Sequence, residues 1–249
     1  MSRLSDISTK APKELDKEKI KGETAKLVKR FDELQYLLYA ESKHAVLVIL
    51  QGLDASGKDG VINKVFGQLN PQGVQVTSFK VPTEEELKHD FLWRIHRHAP
   101  EKGMIQIFNR SQYEDVLVTR VHGWCDDETA NKRFEAINHF EQLLTVHNNT
   151  MVFKFYLHIS PEEQQARFKE RLEDPRKMWK YNKRDFEEAA MWEKYMKVYE
   201  DVFQNCNVLP WTIVPADQNW YKEYVIPKEV VEALTKLDMK YPQIKEEAR

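Results

Sequence analysis

The sequence of 249 residues has little cysteine, only a small excess of negative charge and no long apolar run. Cys125 and Cys206 form no Cys-x-x-Cys pair, which predicts two reduced thiols in a cytoplasmic protein. A formal net charge of -2 argues against a globally basic nucleic-acid binder and leaves local basic patches open. Residues 1–21 lack the apolar stretch of a signal peptide and no run reaches 18 apolar residues, so we expect no membrane segment.

The beginning of the chain predicts a helical extension before the main fold. Residues 1–20 are rich in Lys and Glu, and we predict that they form a loosely ordered arm. Leu27, Phe31, Leu34 and Leu38 then recur at steps of four, three and four, which places them on one helix face. Hydrophobic residues make up 41% of the chain, which is enough for a sizeable core.

Five short apolar runs predict the strands of a mostly parallel five-stranded sheet. Continuous apolar runs are typical of strands that are buried on both faces. Helix-like segments separate them, so the sequence predicts an α/β fold in one domain, residues 1–249, with ligands beyond the carboxyl ends of the strands. The runs are Ala45–Leu50, Val74–Val81, Met104–Phe108, Met151–Ile159 and Trp211–Val214.

Several helices are predicted between these runs. A capping box at residues 83–86 predicts a helix that continues to Ile95. Apolar side chains at helical spacing predict a second helix over residues 128–147. A second capping box at residues 160–163, with proline at the first helical position, predicts a third helix.

A glycine-rich loop follows the first apolar run directly and fits the pattern G-x-x-x-x-G-K. Its glycines let backbone N–H groups turn inward around a phosphate, and Lys58 adds a positive charge at the start of a helix. A strand-to-helix turn with a surface lysine is the alternative interpretation. The predicted phosphate-binding residues of this loop are Gly52, Ser56, Gly57, Lys58, Asp59 and Gly60.

Two carboxylates depart from the usual form of this loop. Asp59 stands where Ser or Thr normally follows the lysine, and Asp54 lies inside the loop. A bare carboxylate ~4 Å from a phosphate costs roughly 4 kcal/mol at an effective dielectric near 20. We therefore predict that Asp54 binds Mg²⁺, and a turn residue bonded to its own backbone is the alternative. For Asp59 the sequence supports two interpretations equally: a catalytic role, or a carboxylate in the first helical turn that the helix dipole stabilises.

A second polar cluster follows the third apolar run. Arg110, Glu114 and Asp115 come directly after Phe108, beside the predicted position of the phosphate loop. An acid here can hold a metal ion or orient the nucleophile, and Arg110 can stabilise charge on the transferring group. A helix N-terminus decorated with acids is the alternative. If Ser111 caps that helix, Asp115 lies one turn into it and Arg110 stays in the loop.

Residues 160–190 are predicted to form a helical lid. Eight basic and three acidic side chains in residues 167–184 leave a net charge of +5. Asp174-Pro175 breaks the helix, so we expect a helix–turn–helix that closes over anions. A solvated charged face and a polynucleotide-binding surface are the alternatives. The predicted phosphate-binding residues of the lid are Arg167, Arg171, Lys177, Lys180 and Arg184.

These motifs together resemble the polyphosphate kinase 2 family over about residues 30–240. The resemblance implies a three-layer P-loop kinase fold with helices on both faces of the sheet. It also implies a homo-oligomer and reversible phosphoryl transfer between inorganic polyphosphate and nucleotides, with Mg²⁺, or Mn²⁺ in its place. The segments that carry the resemblance are residues 52–60, 79–83, 108–115, 167–184 and 213–221.

The resemblance also implies roles for individual residues. Asp54 and Asp115 would hold the metal or activate the acceptor phosphate, while Lys58 and Arg110 would grip the phosphate chain as catalytic cations. Asn109, where the family's first class tends to carry Asp, resembles the third class, which phosphorylates both AMP and ADP.

The expected partners are inorganic polyphosphate and AMP, ADP or ATP, without nucleic acid. An ATP-dependent nucleoside-monophosphate kinase is the first rival function. A non-catalytic P-loop protein that binds polyphosphate or RNA is the second.

Two hypotheses describe the role of Phe79: its ring stacks on the adenine of the nucleotide, or it is an ordinary core residue. The predicted nucleotide-binding residues are Phe79, Val81, Pro82 and Glu114.

Overall fold

The computed structural model describes residues 3–243, which contain a five-stranded sheet with helices on both faces. All four strand pairings are parallel, and the strand order is β2-β3-β1-β4-β5. This confirms the α/β prediction and sharpens the expected "mostly parallel" to a fully parallel sheet. The strands are β1 Ala45–Gln51, β2 Val74–Ser78, β3 Ile105–Asn109, β4 Thr150–His158 and β5 Trp211–Pro215.

The helices surround this sheet, and each predicted long helix has a counterpart. The α-helices are α1 Lys17–Glu41, α2 Lys58–Lys64, α3 Trp93–His96, α4 Val118–Val121, α5 Asp127–Asn148, α6 Pro161–Glu173, α7 Lys183–Ala189, α8 Trp192–Asn205 and α9 Asn219–Thr235. Short 3₁₀ helices span Leu4–Asp6, Phe66–Gln68, Pro71–Gly73, Glu86–Lys88, Gln112–Asp115 and Met178–Lys180. Within residues 3–243, no helix combines the length and the apolar character needed to cross a membrane.

Strand β1 is the centre of the core because it lies between β3 and β4. All seven of its residues are buried, which is why its sequence is a continuous apolar run. Val48 is in register with Ile107 on one side and with Phe153 on the other. The loops that follow β1, β3 and β4 are therefore neighbours at one edge of the sheet, where the predicted site residues lie.

The capping signals predicted one helix start correctly and a second only in part. Ser160 accepts a hydrogen bond from the Glu163 amide at 3.2 Å, and α6 begins at the next residue. Thr83 and Glu86 also cap each other reciprocally. The prediction of a helix that continues to Ile95 is wrong, however, because a single 3₁₀ turn is followed by extended backbone at His89. Because no side chain of that turn is buried, no tertiary packing stabilises further helix.

The amino-terminal arm is a second correction. Leu4 is only 2% exposed, and its amide donates to the Glu200 carboxylate at 2.7 Å. Thr9 donates through its hydroxyl to Asp217 at 2.8 Å. The described part of residues 1–20 is therefore fixed against the body of the protein instead of loosely ordered. Its contacts lie about two hundred positions away in sequence, beyond the reach of a local pattern.

Candidate active site

The phosphate loop, residues 52–57, connects β1 to α2 and has left-handed backbone at three positions. These are Gly52 with φ of 149°, Ala55 with φ of 62° and Gly57 with φ of 98°. A Cβ atom at Gly52 would lie 2.9 Å from the carbonyl oxygen of Leu157, so that position requires glycine. The loop therefore has the strained, close-packed backbone that the motif predicts for a phosphate cradle.

Lys58, the first residue of α2, is buried and turns back across the loop. Its ammonium donates to the carbonyl oxygen of Gly52 at 2.7 Å and to that of Leu53 at 3.2 Å. Burial is the main cause that lowers the pKa of Lys58 to about 8; Arg110 acts in the same direction, and Asp54 opposes the shift. Because both bonded partners are neutral, the ammonium keeps its charge for an anion held by the loop.

The other predicted loop residues differ in their surroundings. Ser56 is fully buried, and its hydroxyl has no hydrogen-bond partner within residues 3–243. Asp59 accepts from Asn109 at 3.0 Å and from Lys180 of the lid at 3.0 Å. Burial acts to raise the pKa of Asp59, but Lys180, Asn109 and Lys58 together outweigh it and leave that pKa lowered. Gly60 lies inside α2, where a Cβ atom would meet nothing within 4 Å, so the structure shows no steric need for glycine there.

Arg110 joins two carboxylates at the end of β3. It has a left-handed φ of 63°, and its guanidinium donates to Asp54 and, at 2.9 Å, to Glu114. Glu114 is the strongest influence that raises the pKa of Arg110, so the guanidinium stays charged. Gln164 of α6 donates to the Asp54 carbonyl oxygen at 2.9 Å, which ties the lid helix to the same loop.

Asp115 contacts a different arginine. Its carboxylate accepts from Arg94 at 3.3 Å, and Arg94 also donates to the carbonyl oxygen of Lys80 at 2.9 Å. Burial raises the pKa of Asp115, and Arg94 opposes that shift. The acid that shares an arginine with Asp54 is thus Glu114. Within the described chain no three His, Cys, Asp or Glu side chains form a metal-binding group, and the metal roles of Asp54 and Asp115 stay predictions.

Two of the predicted lid bases contact the phosphate loop or the first turn of α2, which follows it. Arg167 of α6 donates to the Ala55 carbonyl oxygen at 2.8 Å, and Lys180 forms the ion pair with Asp59 described above. Arg167 also donates to the carbonyl oxygens of Ala216 and Asp217, at 2.9 and 2.8 Å. The lid and the loop therefore share one face of the molecule.

The remaining lid bases pair within the lid or face solvent. Arg171 bonds the Asp185 carboxylate at 2.7 Å, and Lys177 pairs with Glu170. Arg184 is exposed near the start of α7. Among the described hydrogen bonds and ion pairs, none joins these three residues to the phosphate loop, so their phosphate-binding role stays a prediction.

The predicted nucleotide-binding residues do not form one group. Phe79 is 5% exposed and packs edge-on against Phe108, with ring centroids 4.9 Å apart. Its ring belongs to the core, so the stacking hypothesis is corrected in favour of the core alternative. Val81 is 84% exposed, Pro82 is partly exposed, and Glu114 bonds Arg110.

A cleft beside Asp54 and Arg110 has walls that the sequence analysis missed. Leu117 and Val118 line one side, and Glu188, Tyr195 and Tyr199 contribute from α7 and α8. The hydroxyl of Tyr195 donates to Glu188. The four-residue spacing of aromatics in α8 predicts a buried helix face, but it carries no signal that this face borders a cleft. Two further neighbours of the site, Arg94 and Lys222, also stand outside every motif.

The fold and this loop together define the class of protein. A parallel sheet whose first strand leads into a glycine-rich loop and a buried lysine, next to a basic helical lid, is a P-loop kinase. Residues 14–242 match the family model described as polyphosphate kinase 2 (PPK2). The chain belongs to the polyphosphate kinase 2 family.

Individual relatives agree with this assignment. The chain is 47% identical over 221 residues to an AMP/ADP-polyphosphate phosphotransferase of Meiothermus ruber, covering 88% of this chain and 82% of the relative. It is 43% identical over 230 residues to an ADP-polyphosphate phosphotransferase of Rhodopseudomonas palustris, covering 87% and 79%. The crystal structure of polyphosphate kinase 2 from Arthrobacter aurescens TC1 matches with a TM-score of 0.95 and 40% identity, covering 99% of this chain and 90% of that one.

Proposed function

We propose that this chain transfers phosphoryl groups from inorganic polyphosphate to ADP and to AMP, reversibly and with a divalent metal ion. The proposal rests on one observation: cations from α2, from the end of β3 and from α6 all contact the phosphate loop. Lys58 and Arg167 bond carbonyl oxygens of that loop, while Arg110 bonds its carboxylate. The names of the relatives from Meiothermus ruber and Rhodopseudomonas palustris support both the donor and the acceptors.

In this proposal the lid and the loop bind the polyphosphate chain. A polyanion of repeating phosphates needs several cations along its path, and the lid provides them in a chain whose net charge is -2. Lys180 lies next to the loop through Asp59, so a phosphate chain under the lid would meet it before reaching Lys58. The terminal phosphate would then lie in the loop of Gly52 to Gly57.

In this proposal the phosphoryl transfer step needs little acid–base catalysis from the protein. The acceptor phosphate is already an oxyanion at neutral pH, so positioning and charge neutralisation provide most of the catalysis. Arg110 is held in orientation by Asp54 and Glu114, and this preorganised guanidinium would stabilise charge on the transferring group. Lys58 would do the same from the loop.

The donor chemistry of the site fits Mg²⁺, or Mn²⁺ in its place. Carboxylate oxygens are the protein ligands that Mg²⁺ takes, usually together with substrate phosphates. Asp54 and Asp115 are the residues that we propose to hold it, and Glu114 is the competing ligand because it lies with Asp54 on Arg110. The ion would supply positive charge that neutralises phosphate oxygens.

The cleft beside Arg110 is the proposed position of the acceptor nucleotide. Leu117 and Val118 offer it an apolar wall, and Arg110 and Glu114 lie at the end nearest the phosphate loop. This cleft replaces Phe79 as the hypothesis for the base contact.

The test is a donor and acceptor assay with long-chain polyphosphate, Mg²⁺ and no other phosphate donor. We expect ATP from ADP, and ADP followed by ATP from AMP, with both reactions abolished by EDTA. Product from ADP alone would keep the polyphosphate kinase and exclude the dual-acceptor class. If neither acceptor reacts but ATP phosphorylates a nucleoside monophosphate, the donor assignment is wrong. Polyphosphate binding without any turnover would favour the non-catalytic alternative.

Three further expectations accompany this proposal. In the direction of ATP formation the enzyme would regenerate ATP from polyphosphate. A homo-oligomer without nucleic acid stays a prediction, which size-exclusion chromatography with light scattering can test. Location in the cytoplasm stays a prediction as well.

A further inference from the structure

Lys222 is a second buried lysine at the phosphate loop, and it lies outside the sequence motif that contains Lys58. It belongs to the first turn of α9 and is fully buried. A Cβ atom placed on Gly57 would lie 2.5 Å from its ammonium nitrogen, so the ammonium touches the backbone of the loop. The glycine at this position, with φ of 98°, is what leaves room for it.

The ammonium of Lys222 has neutral partners only. It donates to the side-chain oxygen of Asn219 at 2.7 Å and to the carbonyl oxygen of Ala216 at 3.1 Å. Arg167 donates to the same carbonyl oxygen at 2.9 Å, so two cations share one acceptor. Within residues 3–243 no carboxylate forms an ion pair with Lys222, although Arg167 has one in Glu163. A buried cation without a counter-ion is unfavourable unless a bound anion provides the missing charge.

We propose that Lys222 is a positioning residue of the phosphate site, whose charge acts through the Gly57 backbone to strengthen the binding of a polyphosphate phosphate. The inference rests on the proposed function, because it takes the anion in the loop to be a phosphate of the donor. Lys222 is fully buried, so it acts without touching the ligand. It differs in this from Lys58, whose side chain crosses the loop itself.

This arrangement links phosphate binding to proton uptake. Burial is the main cause that lowers the pKa of Lys222 to about 7, and the charge of Arg167 acts in the same direction. The acidic groups that oppose this shift are Glu223 on the same helix, Glu163 on α6 and Asp217 after β5. An anion in the loop would raise that pKa again, so the protonated form binds more tightly. Affinity that depends on Lys222 is therefore greatest below pH 7 and disappears as pH rises through the pKa of the bound state.

The experiment compares full-length wild type with Lys222→Met and Lys222→Arg, using inorganic polyphosphate of one defined length in isothermal titration calorimetry. Lys222→Met should bind about tenfold more weakly than wild type at pH 6 and within about twofold at pH 9. Arginine stays charged, so Lys222→Arg should retain tight binding at both pH values. Lys228→Met is the control, because it removes an exposed lysine from the same helix and should not change affinity.

Proton uptake separates a charge effect from a structural one. Titration in two buffers of different ionisation enthalpy should show that wild type takes up about half a proton more than Lys222→Met at pH 7.5. Equal affinity and equal uptake in the two proteins would overturn the inference while leaving the proposed function intact. No polyphosphate binding by wild type would instead overturn the proposed function. If thermal unfolding shows that Lys222→Met does not fold, Lys222→Gln takes its place with the same expected results.

Discussion

The phosphate loop and the lid both present basic side chains to the site, but they hold them in different ways. Lys58 is 8% exposed and bonded to backbone oxygens, within a loop whose conformation is fixed by close packing. Lys180 is 34% exposed and held by one ion pair to Asp59. A buried cation acts at a fixed distance in a low dielectric, whereas an exposed one is screened and rearranges. The loop should therefore govern turnover and the lid should govern affinity for the donor.

The largest expected effect comes from the loop lysine. Lys58→Met should lower kcat/KM for polyphosphate about 1000-fold, because it removes a preorganised charge from the transferring group. Steady-state kinetics with ADP as acceptor measures it. Lys64→Met, an exposed change at the end of the same helix, should stay close to wild type. Comparable losses in both variants, with unchanged thermal unfolding, would contradict the special position of Lys58.

The carboxylates should follow with the next largest effect. Asp54→Asn and Asp115→Asn should each lower the rate at least ~100-fold if the carboxylate stabilises transition-state charge through the metal. Glu193→Gln, on the exposed side of α8, is the control. A near-wild-type rate in either variant removes that residue from the mechanism. The Mg²⁺ concentration for half-maximal rate, compared in Glu114→Gln and Asp115→Asn, decides which of these neighbours binds the ion.

The pH dependence tests the buried state of Lys58. Its pKa is lowered to about 8 by burial, and only the protonated form attracts phosphate. We expect kcat/KM to fall above pH 8, by up to about tenfold for each pH unit. Because Asp54 holds that pKa up, Asp54→Asn should move the fall to lower pH. A flat profile from pH 8 to 10 would exclude Lys58 as the titrating group.

The smallest effect is expected in the lid. Lys180→Met should raise KM for polyphosphate about fivefold with little change in kcat, since a half-exposed charge contributes modestly. The difference from wild type should shrink as salt increases. Lys169→Met removes a more exposed lid lysine, 74% accessible and paired with Glu173, and serves as the control. If kcat falls and KM does not, the lid takes part in the transfer step itself.

The comparison also explains what could be predicted from the sequence. The phosphate loop is a contiguous motif, and Gly52 and Lys58 have the local geometry that the motif demands. The lid was predicted from a one-sided charge run and a helix break, and α6 does end at Glu173, before Pro175. A charge run specifies no partners, however. Whether Arg171 binds a phosphate or Asp185 depends on the packing of two separate helices.

The roles of the two acids after β3 could not be predicted from the sequence. Sequence order places Glu114 and Asp115 side by side, and nothing in it distinguishes them. In the structure a 3₁₀ helix directs Glu114 towards Arg110 and Asp115 towards Arg94. Arg94 itself lies in a helix of four residues that has no motif.

The sequence by itself determined the parallel α/β fold, the phosphate loop and the order of strands and helices along the chain. Those features follow from local periodicity and contiguous motifs, and each of these signals lies within one continuous stretch of the chain. Only the tertiary structure decided that Leu4 is anchored, that Phe79 lies in the core and that Lys222 supports Gly57. Each of these is a contact between segments that are distant in sequence, and it exists only because the folded sheet brings those segments together.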